Sequence, residues 1–214
     1  MYLMFREGEE ISNSRLARQL GVSPAAVTQS LKRMVGLGLL VRCGARESLL
    51  TEDGRRMAER IISRHYLLER LLVDTLGAAW DVADEEANHL QVSLSSSLEA
   101  LLAERLGHPE TCPHGNPFPG ARSERRLLTA PSLLDSREGD SVSLLRVTEE
   151  GEMFPGLLSF CVSHNIGLGT MMRIAGRCEA RMSVHLEGAD ELTAIPIEYA
   201  PFLRVQTLAP HSDL

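Results

Sequence analysis

The sequence predicts a multidomain α+β protein: an N-terminal winged helix-turn-helix, an all-α middle and a small C-terminal β-barrel. Three observations predict it. A helix-capping Ser23-Pro24 pair follows a Gly-bearing break and opens a stretch with apolar residues at helical spacing. Residues 52–106 are dense in aliphatic side chains at the same spacing. From Gly139 onward the pattern turns to short apolar runs punctuated by glycine.

Met1 to Gly8 reads as the last turns of a helix. A winged-helix domain usually opens with a full helix, so this one is either short in this chain or entered late. Asn13 to Leu20 predicts a second helix with Leu16, Ala17 and Leu20 inward, and Gly21-Val22 breaks it. Ser23 then caps a third helix and Pro24 takes its first position, where a missing N–H costs nothing. Val27, Leu31 and Met34 recur at i, i+4 and i+7, which predicts the buried stripe. Ala25, Ala26, Thr28, Gln29, Lys32 and Arg33 are left on the other faces, with Ser23 at the helix start. Small, hydroxyl, amide and cationic side chains suit base edges and phosphates. Gly36-Leu37-Gly38 ends this helix. Leu39–Arg42 and Ser48–Leu50 follow as short strands, joined by Gly44-Ala45-Arg46-Glu47 into a wing that carries Arg42 and Arg46. Helix, turn, capped helix and hairpin together make Ser12–Leu50 a winged helix-turn-helix.

Thr51 caps the next helix. Met57, Ile61, Ile62, Leu67, Leu68, Leu71 and Leu72 mark one long helix from Glu52 to Thr75, or two meeting near Ser63-Arg64, and Gly77 closes it. Asp81 to Leu106 forms a second helical block. These helices carry more aliphatic surface than a small wing domain covers, so pairing about a two-fold axis is expected. Gly107–Gly120 is a loop rich in Pro, Gly and His, and Ala121–Arg137 is polar and reads as a linker. Strands are predicted at Ser141–Val147, Met171–Ile174, Ala180–Val184 and Thr193–Ile197, with a helical turn or two in Phe154–His164. The expected divisions are 1–60, 61–120, a linker over 121–136, and 137–214.

The formal charge is −7, which alone disfavours a nucleic-acid binder. It is uneven, however. Residues 1–60 hold ten Lys/Arg and seven Asp/Glu, a balance of +3, which leaves −10 for the remainder. A mildly basic head on an acidic body suits a regulator that touches DNA at one end, with affinity dependent on dimerisation and salt. Four distant cysteines, Cys43, Cys112, Cys161 and Cys178, form neither a disulfide framework nor a CxxC pair. The sequence contains neither a signal peptide nor an apolar run of membrane length, so a cytoplasmic protein with free thiols is expected. P-loop, Gly-x-Ser-x-Gly and HExxH motifs are absent, which disfavours an enzyme. An adaptor that kept the fold and lost DNA is disfavoured by Lys32, Arg33, Arg42 and Arg46.

Four stretches carry a family resemblance. They are the helix-turn-helix from Leu16 to Thr28, the wing end Leu50-Thr51-Glu52-Asp53-Gly54, the segment Arg64-His65-Tyr66-Leu67-Leu68-Glu69-Arg70-Leu71-Leu72, and the loop Cys112-Pro113-His114-Gly115-Asn116-Pro117-Phe118-Pro119-Gly120. In this order they resemble the diphtheria-toxin-repressor family of iron- or manganese-dependent transcriptional regulators. The first two occur in many winged helices; the last two are more specific. Leu157-Leu158 and Gly167-Leu168-Gly169-Thr170 weakly mark that family's SH3-like (FeoA-type) C-terminal domain. The resemblance implies a homodimeric repressor of metal-homeostasis genes that grips a palindromic operator when a divalent ion is bound.

The resemblance also implies metal ligands. His65 and Glu69, spaced i, i+4, share a helix face and match two family ligands at the ancillary site. Asp84 stands where the family places the next ligand, a histidine. A fourth ligand is expected from Glu149, Glu150 or Glu152. The implied ion is Fe²⁺ or Mn²⁺, with Zn²⁺ also compatible with these donors. The family's regulatory ligands fall at Asn88, Gln91 and Val92, which cannot reproduce them. Two readings therefore stand: a regulator answering a divalent ion at the ancillary site, or one that is metal-independent or answers another ligand. Cys112-x-His114 reads as a rigid turn fixed by Pro113 and Pro117. Cys161-x2-His164 has ligand-like spacing without a second pair, and Cys43 reads as a half-buried, inert thiol.

Overall fold

The computed structural model describes residues 1–8, 11–43, 47–189 and 191–208. The chain forms two compact units, Met1–Ser63 and Arg64–Leu214.

The first unit is the expected winged helix-turn-helix. Its helices are α1 (Tyr2–Arg6), α2 (Asn13–Gln19) and α3 (Pro24–Gly36). Ser12 caps α2 by accepting from the Arg15 N–H, and Ser23 caps α3 by accepting from the Ala26 N–H at 3.1 Å. Met4, Leu16, Ala17 and Val27 form the small core, with Leu31 packed against it. Met34 and Leu20, both expected inward, are exposed. Met34 lies at i+7 from Val27, where the stripe of a short helix has rotated past its small neighbour. Leu20 is the C-cap of α2, beyond the turn that packs. Strands β1 (Leu40–Cys43) and β2 (Glu47–Leu50) pair antiparallel, Leu40 opposite Leu50, as the wing. Its tip, with Arg46, lies outside the described residues. Thr51 ties wing to helix: its hydroxyl donates to Gly38 O at 2.7 Å and accepts from the Gly54 N–H at 3.0 Å.

Helix α4 (Glu52–Arg70) is continuous through Ser63-Arg64, so the long-helix alternative holds. It gives its first part to the first unit and its last part to the second, then widens into a π-helical turn over Leu71–Thr75. The block expected over Asp81–Leu106 is two helices, α5 (Trp80–Leu90) and α6 (Ser96–Arg105). The break follows from Ser95, whose side chain caps α6 by accepting from the Leu98 N–H. Leu68, Ala87, Leu94 and Leu102 make the helical core.

The segment 121–136 is not a free linker. It contains α7 (Glu124–Leu128), and Leu127, Ala130 and Leu133 are buried. Apolar residues hidden among its charges account for the packing. Strands β3 (Ser141–Val147), β4 (Met171–Arg177), β5 (Arg181–Leu186), β6 (Leu192–Pro196) and β7 (Leu203–Thr207) form one antiparallel sheet in the order β6-β5-β4-β3-β7. β7 was not anticipated, and the small barrel is an open, five-stranded version of the SH3-like form. Helices α8 (Glu149–Glu152) and α9 (Leu157–Ser163) follow β3. Gly151 lets α8 sit close, since a Cβ there would lie 2.6 Å from Phe202 Cβ. Helical segment and sheet share one compact unit rather than two, and Trp80 of α5 packs on the sheet core. Among the described residues no helix is long and apolar enough to cross a membrane.

Candidate functional site

The first unit presents α3. Ser23, Ala25, Ala26, Gln29, Lys32 and Arg33 are exposed, as is Arg42 on the wing. Thr28 differs from expectation. Its hydroxyl donates to Pro24 O at 2.9 Å and accepts from Asn13 Nδ2 at 3.2 Å, so it fastens α2 to α3. The surface is polar and cationic, with small residues near the helix N-terminus where a backbone can approach closely.

The second unit buries a polar cluster. His65 and Glu69 stand one turn apart on α4, Asp84 is on α5, Cys112 and His114 are on the loop after α6, and Glu152 ends α8. His65 Nε2 lies 3.4 Å from Glu69 Oε1 and 3.3 Å from Asp84 Oδ1. His114 Nδ1 lies 2.9 Å from Glu69 Oε1 and 3.2 Å from Glu152 Oε1. Cys112 Sγ is 3.9 Å from His114 Nδ1 and 4.0 Å from Glu152 Oε1.

Sequence reasoning therefore named His65, Glu69 and Asp84, and the structure brings them together. Of Glu149, Glu150 and Glu152, Glu152 faces the cluster; Glu149 is taken by the Tyr66 hydroxyl. Cys112 and His114 are corrections, being fully buried beside Glu69 and Glu152 rather than serving only as a turn. The signal was the Cys-x-His pair held between prolines, because a rigid loop pre-organises ligands. Gly115 (φ +90°) shapes that loop, and a Cβ there would lie 2.3 Å from Leu145 O. Cys161 and His164 do not converge: Cys161 is buried, while His164 is exposed with Nδ1 2.9 Å from Phe160 O. Cys43 is exposed rather than half-buried.

The cluster is held from behind. Asn116 Nδ2 donates to Glu152 Oε1 at 2.6 Å and to Val147 O at 2.8 Å. Its carbonyl accepts from the buried Arg146 guanidinium at 2.7 Å, which fixes the amide with its NH₂ toward Glu152. Arg146 also donates to Leu127 O at 2.9 Å, linking the centre to β3 and α7.

Electrostatics follow from burial and crowding. Burial would lower the His65 imidazole, but Asp84 and Glu69 outweigh it and lift it to about 10. Burial likewise works against a charged His114, yet Glu152, Cys112 and Glu69 hold it well above the ordinary range. Glu69 resists the upward push of burial because both imidazoles keep its carboxyl below the usual range. Burial raises Glu152, and raises Cys112 to about 12 with Glu69 and Glu152 adding to it. The cluster thus collects positive charge around its carboxylates.

The residues fit a divalent ion. Glu69 is fully buried, and neither of its oxygens makes an aligned hydrogen bond among the described residues; the same holds for His114 Nε2. A buried carboxylate is costly without positive charge beside it; the two imidazoles supply that charge here, and a divalent ion held by the same donors would replace their protons. Imidazole, carboxylate and thiol donors within 4.8 Å of one another suit a transition metal.

Known proteins are similar to this chain. Residues 51–120 match the iron-dependent repressor metal-binding and dimerisation domain, and residues 4–41 match a winged helix-turn-helix DNA-binding model. The iron-dependent repressor IdeR of Mycobacterium tuberculosis is 35% identical over 149 residues, covering 70% of this chain. That match spans 62% of IdeR, so the chain covers less than two thirds of this curated relative. A solved manganese-dependent transcriptional repressor is 31% identical over 85% of this chain and 92% of its own, with a TM-score of 0.71. The chain belongs to the diphtheria-toxin-repressor family. A second solved structure, a manganese-dependent transcriptional repressor in complex with manganese, is 28% identical, covers 97% of this chain and all of its own, and has a TM-score of 0.78.

Within the diphtheria-toxin-repressor frame, Asn88, Gln91 and Val92 build no second centre. Asn88 Nδ2 donates to Asp84 O, Gln91 Nε2 donates to Asn88 Oδ1, and Val92 is 82% exposed. Among the described residues, the groups of side chains placed to hold an ion both lie in this buried cluster.

Proposed function

We propose that this chain is a dimeric, DNA-binding transcriptional repressor of metal-homeostasis genes that responds to Fe²⁺ or Mn²⁺. The observation that carries it is Glu69, a fully buried carboxylate without an aligned hydrogen bond, ringed by imidazole, carboxylate and thiol donors. Either of two overlapping quartets would hold the ion, His65, Glu69, Asp84 and Glu152 or Glu69, Cys112, His114 and Glu152, with Asn116 and Arg146 orienting Glu152. When bound, the ion supplies a compact double positive charge that joins α4, α5, the 112–114 loop and α8. Because α4 begins in the winged unit and ends in the metal-bearing one, the ordering of its last turns is a direct route to DNA affinity. Differential affinity for two arrangements shifts their populations.

DNA binding is assigned to α3 and the wing: Gln29 reads base edges, and Lys32, Arg33, Arg42 and Arg46 hold phosphates, with Ser23, Ala25 and Ala26 at the close approach. A homodimer is supported by exposed aliphatics on and beside the middle helices, Leu76, Leu90, Val92, Leu98 and Leu101, which are more than a soluble face needs. A two-fold dimer fits a palindromic operator, and a repressor that binds DNA fits a cytoplasmic location. A metal-independent regulator would be favoured by Asn88, Gln91 and Val92 alone, but it leaves the buried cluster without a purpose.

Calorimetric titration of the full chain with Mn²⁺, Fe²⁺ and Zn²⁺ tests the proposal. The wild type is expected to bind at least one of these ions, and Glu69→Gln to lose that binding. Absence of binding to all three would overturn the metal reading.

A further inference from the structure

We propose that Trp80 is a positioning residue for the cluster: its indole face accepts the Nε2–H of His114 and so leaves Nδ1 free for the ion. This rests on the metal-binding reading above and concerns how one donor, in the quartet of Glu69, Cys112, His114 and Glu152, is oriented.

The two ring nitrogens of the fully buried His114 meet different surroundings. Nδ1 faces the cluster, 2.9 Å from Glu69 Oε1, 3.2 Å from Glu152 Oε1 and 3.9 Å from Cys112 Sγ. Nε2 is buried and has no hydrogen-bond partner among the described residues. A buried polar atom left in that state is costly and calls for a physical reason. An imidazole that ligates through one nitrogen keeps its proton on the other. That N–H ordinarily goes to a carboxylate, a backbone carbonyl or a water. No oxygen among the described residues takes it here.

Trp80 supplies the remaining acceptor. Its ring meets the His114 ring at 74°, with the centroids 5.0 Å apart. Edge-to-face packing at that distance brings an N–H onto the negative face of a π system. Both partners are held. Asp81, the next residue along α5, accepts from the Ser159 hydroxyl at 2.7 Å, which pins the start of α5 to α9. The indole packs on the sheet core, and a Cβ on Gly167 would lie 4.0 Å from its Cζ2. His114 O accepts from the Val147 N–H at 2.9 Å, which fixes the loop against β3.

The consequence is a choice of tautomer. The bond made by one nitrogen of a neutral imidazole decides which lone pair the metal finds. An indole face accepts and does not donate, so it favours a proton on Nε2 and leaves Nδ1 bare. It also orients the ring without adding a further negative charge to a site already holding Glu69, Asp84 and Glu152. Leucine at position 80 would fill space but offer no acceptor, whereas phenylalanine would keep a face.

The test is nuclear magnetic resonance of the full chain, with ¹⁵N-labelled histidine, loaded with diamagnetic Zn²⁺; His114→Gln assigns the signal. The wild type is expected to carry the His114 proton on Nε2, with its resonance moved upfield by the ring current of the chain's single tryptophan. Trp80→Phe is expected to keep an upfield Nε2–H, and Trp80→Leu to return it to the ordinary position. Chelator competition should show Trp80→Leu binding Zn²⁺ about tenfold more weakly and Trp80→Phe binding nearly as the wild type does. A proton on Nδ1, an Nε2–H at the ordinary position in the wild type, or equal Zn²⁺ affinity in wild type and Trp80→Leu would overturn the role of Trp80 while leaving a metal-binding protein. No Zn²⁺ uptake by the wild type would overturn the underlying reading as well. The wild-type resonance decides the question even if Trp80→Leu fails to fold.

Discussion

Two imidazoles crowded among carboxylates make the second unit a proton-holding site whenever no metal competes. The sign can be worked out for His65, whose ordinary value of 6.5 rises to about 10. Its contribution to stability is complete below about 6.5 and is lost as pH rises through about 10. Ligation needs the neutral ring, so metal binding releases protons and strengthens with pH. In metal-free buffer the melting temperature is expected to fall between pH 6.5 and 9, while the increase produced by Mn²⁺ grows. A metal-free melting temperature that rises over that interval would contradict the charge assignment. The histidine and acids on α4 and α5 were legible because i, i+4 spacing is a local property and Asp84 followed from the family frame. Cys112-x-His114 reads as a rigid turn rather than a ligand pair because its partners Glu69 and Glu152 lie 43 or more and 38 or more positions away in the chain, beyond any local pattern.

Secondary elements were readable where capping chemistry is local. Ser23 and Thr51 each cap the helix expected of them, and Ser12 caps α2 in the same way. The Ser95 break between α5 and α6, and strand β7, were missed; β7 pairs with β3 across most of the C-terminal unit, and its sequence alone carries little alternation. Thr28 looked like a base reader because periodicity places it outward, but periodicity does not reveal the Asn13 amide waiting for it. At α3, Gln29→Ala is expected to weaken specific binding by about 1–3 kcal/mol and leave random DNA little changed. Lys32→Ala or Arg33→Ala should weaken binding on every sequence and flatten the salt dependence by about one charge each. Anisotropy titrations over a salt series separate the two roles, and an unchanged slope would remove the phosphate contact. At the start of α4, alanine would ordinarily help a helix, but a Cβ on Gly54 would lie 2.0 Å from Leu39 O. The backbone clash wins, and Gly54→Ala is expected to cost about 1–3 kcal/mol in denaturant unfolding. An unchanged midpoint would show that wing and helix are less tightly joined than the Thr51 bonds indicate.

For the molecule as a whole, the division of labour is the central feature. The exposed helix α3, with Lys32 and Arg33, belongs to one unit, and a buried, acidic, ligand-rich cluster belongs to the other. The linker expected at 121–136 is instead part of the second unit, since Leu127 and Leu133 anchor it and Arg146 holds the Leu127 carbonyl. That packing gives the ligand-rich cluster a stiff backing, running from α7 through Arg146 and Asn116 to Glu152. The central claim is that an ion in this centre governs DNA affinity. Its most direct measurement is anisotropy titration of the chain's own promoter DNA by wild type and Glu69→Gln, each with and without Mn²⁺. Mn²⁺ is predicted to tighten binding by the wild type and to leave the variant unchanged; equal wild-type affinity with and without the ion would contradict the account.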